Sequence, residues 1–369
     1  MMSKVGAAVA AERSRQGLRV EDLGVDASVV QHLEAGMPDV TVAALETIAR
    51  ALQVDHVALR RGVIVARPRP SVFLRHSPLQ DFHPDDATTL DLVLDHARSR
   101  NVLTSLLGDD VGLFPRSIVS TRTVAADKPL APAFQGYHLA RELRTQLGLA
   151  TEPIVDVREL AEVTLGVAVL TRQLLTLGSS AMAVKAGEAA AIVLAPGATT
   201  SQARVWLAHE ICHALFDADT GGTHVVVDFV TDKKTHQAEQ RARAFAAEFL
   251  LPADGLRQIF GPPQSIQGTD AATKIVGKAR DHFGATWQVT ANQVCNQEFV
   301  DKSLREWLEQ MPPTTPGSVW TATLPQVGGP SIRVSGLVRR AHEAGLITDS
   351  EARAVLGIDP LGMLPWDTR

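Results

Sequence analysis

The feature that most constrains this chain is the run Trp206-Leu207-Ala208-His209-Glu210-Ile211-Cys212-His213-Ala214-Leu215-Phe216. Two histidines stand four positions apart, with a glutamate directly after the first. On an α-helix, positions i and i+4 share a face, so both imidazoles can converge on one metal ion. Glu210, rotated ~100° from His209, can sit beside that ion without binding it. Val205, Leu207, Ala208, Ile211, Cys212, Leu215 and Phe216 make the rest of the helix apolar nearly all round, which predicts burial. Burying two imidazoles and a carboxylate costs roughly several kcal/mol unless something pairs them, and a metal ion does so. The pattern is that of zinc ligation, with a carboxylate placed to take a proton from water.

A third donor comes from the helix expected over Glu239 to Leu251, which Pro252 stops. At ~100° per residue Glu239 lines up with Ala242, Ala246 and Leu250, a small and mostly apolar face suited to close packing on the first helix. Glu248 lies ~180° away beside Arg241, so one helix cannot aim both acids at one ion. Glu239 is therefore the expected ligand, and Glu248 is read as a solvated surface charge.

The set Leu207-Ala208-His209-Glu210-x-x-His213, followed by Glu239-x-x-Ala242-x-x-Phe245-Ala246-Ala247-Glu248-x-Leu250-x-Pro252, resembles the ImmA/IrrE family of zinc metallopeptidases. The resemblance implies a zincin-like domain and zinc ligands at His209, His213 and Glu239. It implies a catalytic glutamate at Glu210, and a substrate that is a regulatory protein, typically an XRE-type repressor. The chain departs from the family in two places. It has Cys212 where Gly or Ser is frequent, and Arg243 where Asn is usual, a change that alters the substrate cleft. The thiol of Cys212 invites a redox role, against the simpler reading of a small buried hydrophobe.

At 369 residues and 45% hydrophobic content the chain has material for two or three packed domains. A net charge of −5 gives no global attraction to nucleic acid or to an acidic membrane. Two cysteines make no disulfide framework, no apolar run reaches the ~18 residues of a membrane span, and no signal peptide is visible. A cytoplasmic protein is the expectation. The expected fold is α+β and mostly helical: a zincin-like metallopeptidase domain, small sheet plus metal-binding helices, flanked by helical N- and C-terminal domains.

Residues 1–63 read as helical, with apolar spacing through Ala8 to Leu23, Val29 to Leu33 and Val42 to Leu52. They resemble an XRE-type helix-turn-helix, several residues short between Leu23 and Val29. The segment in the place of the recognition helix, Ala27 to Leu33, has no Arg or Lys to reach bases or phosphates. The unit holds seven basic residues against eight acidic ones, a net of −1, so neutralising phosphates would add little affinity. Two roles stay open for it: a DNA reader, or a docking module for a partner protein or a second copy in a homodimer.

Residues 64–132 read as a connector, with the stiff link Arg67-Pro68-Arg69-Pro70 and an amphipathic helix from Asp85 to Ser99. His76, His83 and His96 within it are assigned no metal. The peptidase domain is expected over 133–262. Helices are expected there at Phe134 to Arg144 and Val157 to Thr164, the second capped by Asp156. Strands are expected at Val167–Leu170, Ala181–Val184 and Ala189–Leu194, with a hairpin turn at Lys185–Glu188. Such a sheet offers an edge to which an extended peptide can add as a strand. His224 and His236 are candidate oxyanion stabilisers, though a surface histidine is the plainer reading. Residues 263–369 read as a helical C-terminal region, its first part helix-turn-helix-like, with a loop from Met311 to Pro330 and a last helix from Val334 to Gly345.

Overall fold

The computed structural model describes residues 4–15, 17–37, 40–52, 54, 56–64, 84–108, 131–173, 181–186, 189–217, 223–227, 237–311, 320, 329–359 and 361–367. The link at 67–70, His76, His83 and His236 lie outside them. The chain divides into two compact units, Met1–Pro70 and Ser71–Arg369.

The first unit is helical: α1 (Lys4–Arg15), a 3-10 turn (Val20–Leu23), α2 (Ala27–Glu34), α3 (Val42–Leu52) and α4 (His56–Arg60). The apolar spacing from Ala8 to Leu23 is not one helix. Gly17 takes a left-handed φ of 68° after α1, and the chain re-enters a helical turn only at Val20. Asp26 caps α2 by accepting from Ser28 N. Val9, Leu23, Val30, Ile48, Leu52 and Leu59 form the core of this unit.

The second unit begins with α5 (Pro84–Leu106), longer than the amphipathic helix expected and more than a connector. Then come α6 (Pro132–Gln146) and α7 (Val157–Glu159), which runs into a π-turn (Leu160–Thr164). Asp156 caps α7 through Arg158 N and Glu159 N. The strands are β1 (Ala168–Thr171), β2 (Ala181–Ala186), β3 (Ala189–Leu194) and β4 (Thr223–Val227). They form one sheet in the order β1-β3-β2-β4, with β1 parallel to β3 and the other pairs antiparallel. Between β3 and β4 lies α8 (Thr200–Cys212), followed by a π-turn (His213–Asp217). After β4 come α9 (Gln237–Leu250), α10 (Ala253–Phe260), α11 (Thr269–Phe283), α12 (Trp287–Asn296), α13 (Arg305–Gln310), α14 (Ile332–Glu343) and α15 (Asp349–Leu356). The architecture is α+β and mostly helical with a small sheet, as a zincin-like domain requires. Among the described residues no helix is long and apolar enough to cross a membrane.

Alternation along the strands explains the layers. Val169, Ala190, Ile192 and Leu194 face a large core shared with α6, α8, α9, α11 and α12. Ala168, Leu170, Ala191 and Val193 face the other way, onto Val93, Leu94 and Ala97 of α5. A strand covered on both faces has no polar side, so Ala189–Leu194 is apolar throughout. The large core takes in residues from Ala140 to Leu308, so a single core crosses the 262/263 boundary drawn from sequence. Leu103 near the end of α5 joins α14 and α15 in a smaller cluster. His96 on α5 is a satisfied core histidine. It accepts from Ser331 N at 2.9 Å, and burial, reinforced by Arg172, pushes its pKa down to about 4 and keeps it neutral.

Two arginines close the large core from within. Arg144 of α6 donates to the carbonyls of Phe249, Leu149, Ala150 and Glu152. Arg204 of α8 donates to Ile154, Val155, Phe283 and Gly284, with its guanidinium 4.6 Å from the Trp320 ring centre. Burial lowers the pKa of each to about 10, so both remain charged at neutral pH.

Helix α6 crosses α9 at Gly136, where a Cβ would overlap the Arg241 carbonyl oxygen and stand 2.8 Å from Phe245 N. Gly136→Ala is expected to destabilise the second unit by about 1–3 kcal/mol through overpacking, more than the ~1 kcal/mol of helix propensity it gains. Thermal unfolding followed by circular dichroism measures this, and an unchanged or raised Tm would refute the close contact.

Candidate metal centre

Helix α8 begins where the sequence provides a full cap: the Thr199 hydroxyl accepts from Gln202 N, and the Gln202 side chain accepts from Thr199 N. From there the helix runs into the core, with Leu207, Ala208, Ile211 and Cys212 all buried. It carries His209 and His213 on one face. At His213 the α-helix gives way to the π-turn, a widening that frequently marks a functional position.

Helix α9 packs against α8 through Ala242, Phe245, Ala246 and Phe249, all within the same core, and Phe245 meets Phe216 with ring centres 5.8 Å apart. The small residues let the helices approach, and Glu239 in the first turn of α9 reaches across. His209 Nε2 and His213 Nε2 are 3.0 Å apart. The Glu239 carboxylate stands 3.2 Å from His209 Nε2 and 3.1 Å from His213 Nε2. All three side chains are buried, and the cluster could hold a metal ion. Two nitrogens bound to one zinc at ~2.0–2.1 Å stand about 3.3 Å apart in tetrahedral geometry, so the observed spacings fit the ion. The donor chemistry fits too, since two imidazoles and a carboxylate suit zinc. Burial alone would raise the Glu239 pKa, but hydrogen bonds from both histidines outweigh it and hold the carboxyl well below the usual range.

Glu210 is buried and lines, with His209, the wall of a cleft of ≈ 710 Å³. Helices α6 and α12 also line it, through Tyr137, Gln288, Asn292 and Asn296. Arg243, four residues from Glu239 and 3.9 Å from its carboxylate, lines the cleft on the α9 side.

The structure corrects the reading of Glu248. It is no surface charge: it is 1% exposed, and it accepts from Arg141 Nε at 2.7 Å, Gln293 Nε2 at 2.8 Å and Ala253 N at 3.2 Å. It thus ties α9 to α6, α12 and the start of α10, where a carboxylate is favoured by the helix dipole. It points away from the His–His–Glu cluster. The run Phe245-Ala246-Ala247-Glu248-Phe249-Leu250-Leu251 surrounds this acid with apolar residues, a signal that its face is covered as well. Cys212 is fully buried in the apolar core, which matches the role of a small hydrophobe. His224 falls on β4, where its backbone pairs opposite Lys185.

Residues 164–297 match the Peptidase_M78 family model, described as the IrrE N-terminal-like domain. The match covers β1 through α12, and so contains the metal cluster, Glu210 and Glu248. No curated protein matches the chain. The matched region is similar to a metallopeptidase domain, and the N-terminal unit lies outside it.

The two glutamates of α9 should therefore separate experimentally. Glu239→Gln is expected to lose tight zinc binding in calorimetric titration. Glu248→Gln is expected to keep zinc stoichiometry and lose about 1–3 kcal/mol of stability, because Arg141 and Gln293 lose a charged acceptor. The reverse assignment would show the opposite pair of results.

Proposed function

We propose that this chain is a zinc-dependent endopeptidase acting on a regulatory protein in the cytoplasm. One observation carries the reading: two imidazoles and a carboxylate from adjoining helices converge within 3.2 Å beside a glutamate that lines an open cleft. His209, His213 and Glu239 would hold a zinc ion, which when bound would supply Lewis acidity toward a peptide carbonyl and lower the pKa of water toward neutrality. Glu210, on the cleft wall beside His209, accepts the proton of the attacking water. It then delivers that proton to the amide nitrogen as the C–N bond breaks, which leaves a free amine and a carboxylate. Gln288 and Asn292 line the cleft with amides that can hydrogen-bond the backbone of an extended substrate. Among the described residues β4 is paired on one side only, by β2, which supports binding of the substrate as an added strand. The resemblance to the ImmA/IrrE family supports an XRE-type repressor as the substrate.

We assign the N-terminal unit to docking, with a partner protein or a second copy, in preference to reading DNA. Arg13 is bound to Glu34 at 2.7 Å, and Arg15 and Arg19 pair with Glu12 and Asp22. Basic side chains held by acids within the unit have little left for phosphates. A transcriptional regulator in which the peptidase domain only senses or docks is the alternative, and salt-dependent binding of the chain to its own promoter DNA would favour it.

Glu210→Gln removes the proton acceptor and leaves the three metal donors in place. Cleavage of a protein substrate should fall by about 10²–10⁴-fold while the zinc content stays at the wild-type level. A variant that cuts as fast as wild type contradicts the mechanism.

A further inference from the structure

The cleft that carries Glu210 has a second polar end, built from elements outside the metal helices. Tyr137 of α6, Asn296 at the end of α12 and Arg305 at the start of α13 all line it. They form a chain of contacts. Arg305 donates through a terminal guanidinium nitrogen to Asn296 Oδ1, and Asn296 Nδ2 donates to the Tyr137 hydroxyl at 2.9 Å. Both ends of the Asn296 amide are thus fixed, and the amide in turn holds the guanidinium against the cleft.

No acid of the cleft lining stands at this end. Arg305 bonds the neutral Asn296 amide and the Cys295 thiol, and among the described residues it makes no ion pair with a carboxylate. Its Nε is buried without a hydrogen-bond acceptor. The neighbours on this wall are neutral: Gln288, Val289 and Asn292. The acid that lines the cleft is Glu210, at the metal end, where Arg243 already stands 3.9 Å from Glu239. A half-buried guanidinium without a counter-charge is under-solvated, and the group that satisfies it best is a carboxylate, through charge-assisted hydrogen bonds.

We infer that Arg305, held by Asn296, is a specificity determinant that selects peptide substrates carrying an acidic side chain close to the scissile bond. The inference rests on the endopeptidase reading for the position of that bond, but the recognition itself is a binding property of the cleft. Asp or Glu of the substrate sits against Arg305 while its backbone crosses toward Glu210. A glutamine at the same place keeps the size and loses the charge, so it binds more weakly. A lysine is repelled.

The test uses the full chain with the Glu210→Gln substitution, loaded with zinc, so that peptides bind without being cut. Three matched sets of short, end-capped, otherwise neutral peptides carry one glutamate, one glutamine or one lysine, and fluorescence anisotropy reads their affinity. The glutamate set should bind about tenfold tighter than the glutamine set, with the margin shrinking as salt rises. Adding Arg305→Glu should turn the preference toward lysine. Adding Asn296→Asp places a carboxylate beside an intact Arg305 and should abolish the preference, which guards against misfolding of the first variant. Equal binding of the glutamate and glutamine sets, no binding of any set, or a preference that survives both substitutions overturns the inference. Wild-type chain incubated with the same peptides separates the two claims. A glutamate preference without cleavage sinks the peptidase reading alone, and cleavage without a glutamate preference sinks the specificity alone.

Discussion

Desolvation of three polar side chains is the constraint on which this structure turns. His209, His213 and Glu239 are buried, on helices whose Leu207, Ala208, Ile211, Ala242 and Phe245 belong to the large core. Without partners, each would lose several kcal/mol relative to water. The fold meets this cost by bringing the three together from two helices, so that each faces the other two at hydrogen-bond range. An arrangement that gathers donors at one point and leaves one side open to a cleft has the form of a catalytic metal site, in contrast to a closed structural one.

Holding two helices in register to a few tenths of an ångström requires a rigid surround, and the molecule supplies it with buried charge. Glu248 joins α9 to three other helices, Arg144 ties α6 to the end of α9, and Arg204 fastens α8 to the turn after α11. None of these groups reaches the metal cluster. Each instead satisfies backbone or side-chain partners that the core would otherwise leave unpaired, and so fixes where the donors stand. The sheet does the same from the other side: α5 covers its far face, which leaves the near face free to carry α8.

The metal helix was legible because its signal is local. Two histidines at i and i+4, an acid between them and an apolar surround specify a face without knowledge of the rest of the fold. Glu239 was legible for a similar reason, since its alignment with Ala242 and Ala246 marks the side that packs closely. Glu248 was not, because helical angle tells which residues share a face but not whether that face meets solvent. Its burial depends on Arg141 of α6 and Gln293 of α12, 107 and 45 residues away in sequence. The covering role of α5 was hidden likewise, for an amphipathic pattern does not name its partner. Strand β4 escaped because its Val-Val-Val run forms a sheet only through pairing with β2. The cleft's far end was invisible from the motifs, as Tyr137, Asn296 and Arg305 meet only in three dimensions.

X-ray absorption at the zinc edge of the zinc-loaded full chain, compared with His213→Ala and Glu239→Ala, tests the convergence of the three donors on one ion. The expected result is one tightly bound zinc with two imidazole nitrogens and light oxygen donors at about 2.0–2.2 Å, and the loss of one matching donor in each variant. A zinc shell that is unchanged in both variants, or one built from sulfur, would contradict it.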